Sequence, residues 1–253
     1  MIKIEVLKDL IKTILYTGYL SGEKPLSVMF VGRIGSGKSE IINAFSLNDN
    51  IAYFTDLTYM GLIQVLKDYP NLKHIAIPDF LKITMKKKST MDNVTSAFNS
   101  LMEEGLEKIS MMGMSIDFKG KKCGIITATT KGSFSQNESK WKSMGFLSRM
   151  LLISYDYKDD TIKEIFEYIY NSEYLNDNNK EKILLPFRDF EVKISNKLAR
   201  ELKEKDIDFR RQKQLQILAK ARALISNRIE VNEQDVKDIN NFKKFLNLNY
   251  TKI

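Results

Sequence analysis

The sequence predicts an α/β fold, a parallel sheet flanked by helices, followed by a small C-terminal helical lid. Three observations predict it. Short apolar runs alternate with stretches at helical spacing as far as Asp160. A glycine-rich segment, residues 32–39, lies between the first apolar run and the helical stretch after it. Beyond Asp160 the spacing is helical alone.

In chain order, Ile4, Leu7, Ile11, Ile14 and Leu15 recur at helical spacing within residues 4–20, and Gly18 and Gly22 mark the end of that helix. Residues 26–31 are a short apolar run, read as a buried strand, and residues 38–45 resume helical spacing. Further strands are expected at 51–54, 75–77, 124–129 and 150–154, and helices at 57–69 and 91–109. Strands that alternate with helices imply a parallel sheet covered on both faces. Four more helices are expected at 162–170, 195–205, 210–225 and 232–246, with a polar stretch at 176–182. Asn232 reads as the N-cap of the last of these. The chain thus divides into a sheet-bearing core with its N-terminal helix, residues 1–179, and a helical lid, residues 180–253.

At 253 residues the chain is long enough to bury a sizeable core. Its 43% hydrophobic and 28% charged residues belong to a globular protein rather than a disordered one. No stretch approaches the roughly 20 apolar residues that span a bilayer, and the opening MIKIEVLKDL lacks a signal-like apolar run. The expectation is a cytoplasmic protein with no membrane partner. Cys123 is the single cysteine and His74 the single histidine, which excludes an internal disulfide, an all-cysteine metal cage and a histidine cluster. The 40 Lys+Arg against 32 Asp+Glu, a net charge of +8, favour a polyanionic partner such as nucleic acid. A solvated, lysine-rich surface is the competing reading.

Gly32-Arg33-Ile34-Gly35-Ser36-Gly37-Lys38-Ser39 fits G-x-x-x-x-G-K-[ST], the Walker A pattern of P-loop NTPases. Glycines let the backbone take turn conformations closed to other residues and bring its N–H groups against phosphate oxygens. The helix that follows points its positive end at them. Lys38 is expected to reach the β- and γ-phosphates of a nucleotide and Ser39 to ligate Mg²⁺. The pattern follows an apolar strand and opens a helix, the context it requires.

Such a site needs a second acidic group at the end of a neighbouring buried strand. Residues 74–79 supply an apolar run that ends in Asp79, expected to hold Mg²⁺ together with Ser39. Phe80 stands where many ATPases of this kind carry a Glu that orients the attacking water. Glu40, Glu103 and Glu104 are the available substitutes, with helix-surface charges as their ordinary reading. Residues 124–130 end in hydroxyls, and a strand between the two Walker strands places Thr130 near the γ-phosphate; Thr127 and Thr129 are alternatives.

Gly145-Phe146-Leu147-Ser148-Arg149-Met150-Leu151 sets an arginine just before the last apolar strand. Here the chain resembles the AAA+ ATPases, and among them the minichromosome maintenance helicases and related phage and plasmid replication ATPases. Leu147-Ser148-Arg149 looks like that family's arginine-finger segment, which implies that Arg149 completes the active site of a neighbouring copy. Phe209-Arg210-Arg211-Gln212, residues 218–223 and residues 231–236 are similar in order and spacing to the family's helical lid. The resemblance implies that Arg210, or alternatively Arg211, contacts the nucleotide as the sensor 2 residue. It also implies a channel-lining hairpin within residues 109–124. Lys119, Lys121 and Lys122 are its candidate DNA contacts, and Met111 and Met112 are apolar contacts at an alternative tip. The run Lys86-Lys87-Lys88 is a weaker candidate. No Asn-Lys-x-Asp guanine-reading segment is present, so adenine is favoured, with residues 16–19 at a suitable place for the base.

What the resemblance implies is an oligomeric ATPase, a ring of copies of this chain. With ATP and Mg²⁺ it would translocate on or remodel DNA in replication, alongside a possible replication protein partner. Phe80 motivates the alternative, a low-turnover ATP-dependent initiator, loader or regulatory switch that binds DNA or a protein.

Overall fold

The structure, a computed structural model, describes residues 2–111, 114–157, 159–170, 180–205 and 207–247. Helix α1 (Ile2–Thr17) precedes strand β1 (Ser27–Gly32). Helix α2 (Lys38–Asn43), strand β2 (Ile51–Tyr53), helix α3 (Tyr59–Asp68) and strand β3 (His74–Ile77) follow. A single turn, α4 (Leu81–Thr84), and the longer α5 (Lys88–Met102) lead into an antiparallel pair, β4 (Leu106–Met111) and β5 (Met114–Lys121). Then come β6 (Gly124–Thr130), α6 (Lys131–Ser143), a 3-10 turn (Leu147–Arg149), β7 (Met150–Ser154) and α7 (Asp159–Tyr170). Helices α8 (Asn196–Glu201), α9 (Phe209–Ile225) and α10 (Glu233–Phe242) and the short β8 (Leu246–Asn247) complete the described chain.

The main sheet runs β2-β3-β6-β1-β7-β8. Its first five strands are parallel, and β8 adds antiparallel to β7. Helices cover both faces, so the inner strands are apolar on both sides, and every residue of β1 is buried. Alternation along each strand sorts its side chains between two cores. Val28 and Phe30 of β1, Ile126 and Ala128 of β6, and Leu151 and Ile153 of β7 face α1, α2 and the C-terminal helices. Met29, Val31, Ile125, Met150 and Leu152 face the other way, toward α3, α5, Trp141 and Phe146. Burying these side chains at about 25 cal/mol per Å² of apolar surface is the main term that holds the layers together.

Most expected elements appear within a few residues of their predicted limits, and two run differently. The helix expected at 91–109 stops at Met102, and residues 106–111 are strand β4. Gly105 forces the break: its φ of 94° lies where L side chains are strained, and a Cβ there would sit 2.4 Å from the carbonyl oxygen of Gly120. The helix expected at 232–246 stops at Phe242, and residues 246–247 pair with β7 instead. At its start Asn232 does cap, accepting from the Asp235 N–H at 3.1 Å while the Asp235 carboxylate accepts from the Asn232 N–H. The 179/180 boundary falls beside residues 171–179, which lie outside the described residues. Beyond it, α9 and α10 pack on α1 and share one apolar cluster with the sheet.

Candidate functional site

The glycine-rich segment forms a tight turn between the C-terminal end of β1 and α2. Gly35 and Gly37 both have φ of 75°, a left-handed conformation that favours glycine. At Gly32 the constraint is space, since a Cβ would lie 3.1 Å from the Ser36 hydroxyl. Gly37 is the N-cap of α2 and offers no side-chain cap, so the first N–H groups of the helix are left for an external acceptor. The Lys38 ammonium curls back over the turn and donates to the carbonyls of Arg33 at 2.5 Å and Gly32 at 3.2 Å and to the Ser36 hydroxyl at 3.2 Å. Burial holds its pKa below the ordinary lysine value, and the Asp79 carboxylate pulls the other way. Arg33, Ile34 and Glu40 face solvent, and Arg33 reaches the Asp156 carboxylate at 3.8 Å.

The strand order brings the other expected residues to the same edge of the sheet. β6 lies between β1 and β3, and Thr130 is in register with Gly32, the first residue of the turn. Its hydroxyl caps α6 by accepting from the Ser133 N–H at 3.1 Å. Of the alternatives, Thr127 is buried and donates to the Ile77 carbonyl at 2.7 Å, and Thr129 is buried one residue short of the edge. Asp79 follows the end of β3, is exposed, and accepts from the Leu81 N–H at 3.0 Å. The Ser39 hydroxyl donates to the carbonyl of Pro78, the residue before Asp79, at 3.3 Å. The Ser39 hydroxyl thus lies against the segment that carries Asp79, and both side chains offer hard oxygen donors of the kind Mg²⁺ takes. Phe80 is wholly buried, stacked on Phe146 and edge-on to Trp141, so it is a core side chain pointing away from the turn.

Three residues that sequence reasoning did not single out also meet here. The hydroxyls of Tyr155 and Tyr157 donate to the Ser36 carbonyl at 2.7 Å and 2.9 Å. Burial raises both phenol pKa values. Asp156, between them in sequence, pairs with Lys131 at 3.2 Å as well as with Arg33. The available signal was Tyr155-Asp156-Tyr157 directly after an apolar strand, which becomes informative only once β7 is known to lie beside β1.

The arginines occupy the opposite edge. Arg149 immediately precedes β7, whose first residue is in register with Ser27 at the start of β1. The six residues of β1 put about 20 Å of strand between that edge and the turn. Arg149 donates to the Gly145 carbonyl at 2.6 Å and approaches the Glu103 carboxylate at 3.6 Å. Arg210, at the start of α9, donates to the Ser148 hydroxyl at 2.7 Å and pairs with Glu103 at 3.1 Å. Neither reaches the turn of its own chain. Glu103 and Glu104 lie with them, so among the three candidate water-orienting acids only Glu40 is at the turn. Arg211, the alternative to Arg210, is instead wholly buried, donating to Gln214 at 2.7 Å and the Leu147 carbonyl at 3.0 Å. Burial lowers its pKa to about 10, and its contacts tie α9 to the 3-10 turn rather than present it to a ligand.

The hairpin expected within residues 109–124 is β4–β5. Its strands pair as far as Met111 and Met114, and Met112 lies outside the described residues. Lys119, Lys121 and Lys122 are thus at its base, not its tip. Lys119 and Gly120 take φ of 52° and 71°, and Lys121 bonds to the Pro70 carbonyl. Lys86, in the weaker lysine run, pairs with Asp56 at 2.7 Å. No helix among the described residues is long and apolar enough to cross a membrane. Compared with known proteins, the chain matches no family model and no curated protein at a significant level.

Proposed function

We propose that the chain binds ATP with Mg²⁺ in the turn of residues 32–39 and hydrolyses it as an oligomer of the AAA+ kind. The observation that carries this reading is the convergence at one sheet edge of Lys38 and Ser39, Asp79, and Thr130, delivered by three separate segments in the strand order a Walker site requires. In this reading the turn N–H groups and Lys38 hold the phosphates, and Ser39 and Asp79 hold Mg²⁺, which neutralises charge on the phosphate oxygens. Thr130 orients the attacking water, with Glu40 the nearby carboxylate. Arg149 and Arg210 serve a neighbour's nucleotide, because their own lies a strand length away. The +8 charge supports DNA as the polymer on which the assembly works.

Lys38→Ala should weaken binding of a fluorescent ATP analogue at least tenfold with little change in melting temperature. Undiminished affinity would refute the reading. The buried Phe80 favours a second reading, a nucleotide-dependent switch with little turnover. Steady-state hydrolysis with and without single- and double-stranded DNA separates the two: DNA-stimulated multiple turnover selects the motor, and binding without turnover selects the switch.

A further inference from the structure

Glu103 gathers three cations onto one carboxylate. Lys24 bonds to it directly, Arg210 Nη2 lies at 3.1 Å and Arg149 Nε at 3.6 Å. The side chain is only 21% exposed. Its backbone is fixed at the C-cap of α5, where the Glu103 and Gly105 N–H groups both donate to the Ser100 carbonyl, at 3.2 Å and 2.7 Å. These residues line a cavity of about 400 Å³ with Lys213 and Phe209, and Phe209 at its mouth is 96% exposed. The acid beside them, Glu23, is already held by Lys213 at 3.0 Å and Lys220 at 2.6 Å.

Glu104, at 3.9 Å from Arg149, is the second carboxylate here, and two carboxylates against three cations still leave an excess of positive charge in a pocket open to solvent. Two guanidinium groups that share a carboxylate are also screened from each other, which lets them stand side by side. An entering phosphate tail competes with Glu103 for the same N–H donors. The carboxylate, fixed at the end of α5, keeps Lys24 as a partner when the arginines turn away.

We infer that Glu103 is a positioning residue that stands in for a neighbour's phosphates, holding Arg149 and Arg210 ready until nucleotide replaces it, and that Lys24 receives it on that exchange. The inference rests on the proposed function, since it requires both arginines to serve a neighbouring copy's nucleotide.

The test is sedimentation of the full chain with a slowly hydrolysed ATP analogue and Mg²⁺, reading the protein concentration at half-assembly. Glu103→Gln should lower that concentration about tenfold, because the arginines no longer have to leave a carboxylate. Lys24→Met should raise it severalfold. Adding Lys24→Met to Glu103→Gln should have no further effect, since Lys24 then has no carboxylate to receive. A purely structural role for the cluster predicts weaker assembly in both single variants, and that result, or additive effects, would overturn the inference. If Glu103→Gln does not fold, Lys24→Met decides alone, and unchanged assembly counts against it. A wild-type chain that binds the analogue without assembling would remove the oligomeric reading and this inference together. Wild-type assembly with unresponsive variants would remove the inference only.

Discussion

At the scale of single residues, the turn that carries the site is pinned from a direction its own sequence does not reveal. Tyr155 and Tyr157 share the Ser36 carbonyl, and so fix the peptide next to Gly37, whose left-handed backbone aims the start of α2. A neutral hydrogen bond of this kind is worth about 1 kcal/mol. Tyr157→Phe should therefore weaken ATP affinity about fivefold, and the double Tyr155→Phe, Tyr157→Phe variant should weaken it by more than either alone, both read by titration with a fluorescent analogue. Unchanged affinity in the double variant would show that Lys38 and the glycines suffice. His74 offers a separate test of the core. It is buried between α1 and the sheet, and burial lowers its pKa to about 3 from 6.5. The unfolded chain takes up that proton below pH 6.5 and the folded chain does not, so stability is lost as pH falls through this window and is flat above it. Between pH 6.5 and 5 the loss should approach about 1.4 kcal/mol per pH unit. Glu23 and Glu103, whose folded pKa values lie below the ordinary 4.5, add their own loss only further into acid. Urea midpoints at pH 7 and pH 5 should differ in the wild type and differ less in His74→Gln.

At the scale of elements, the legible parts were those where local chemistry and tertiary demand agree. The glycine spacing of residues 32–39 fixed a turn because two of its positions need positive φ and one needs no side chain. The inner strands were legible because both of their faces are buried, and Asn232 because a cap acts within its own turn. The 91–109 stretch misled because Leu101, Leu106 and Ile109 suit a helix as well as a strand. Only the backbone of Gly105, packed under Gly120, decides between them. α6 escaped notice because its buried residues, Ser133, Phe134 and Trp141, show little apolar periodicity. The Glu103 cluster was illegible for another reason: its members sit at positions 24, 103, 149 and 210, and nothing local ties them together. The account of Gly105 makes a prediction. Gly105→Ala should cost about 2 kcal/mol or more in urea unfolding, from strain and from the Gly120 carbonyl. Gly132→Ala, inside α6 with open space where its Cβ would go, should be neutral or gain roughly 0.5 kcal/mol. Equal effects at the two glycines would remove the explanation offered for the end of α5.

At the scale of the whole molecule, the two halves of the proposed chemistry lie on opposite edges of one sheet, with the turn at the C-terminal ends of the strands and the arginines at the N-terminal ends. A sheet is too stiff to fold one edge onto the other. The proposed function therefore calls for a second copy whose turn faces the first copy's arginines, a head-to-tail contact that gives a ring where its rotation closes. The arrangement makes a demand that no single variant can test. Lys38→Ala and Arg149→Ala should each abolish turnover, the first with loss of binding and the second without it. In an equimolar mixture of the two, a junction is competent when an intact turn from one meets an intact arginine from the other. Random assembly makes about a quarter of junctions competent, so turnover should return to roughly that fraction of wild type, reduced further if neighbouring sites must fire together. An arginine acting within its own chain, or serving only to hold the fold, gives no recovery at any mixing ratio.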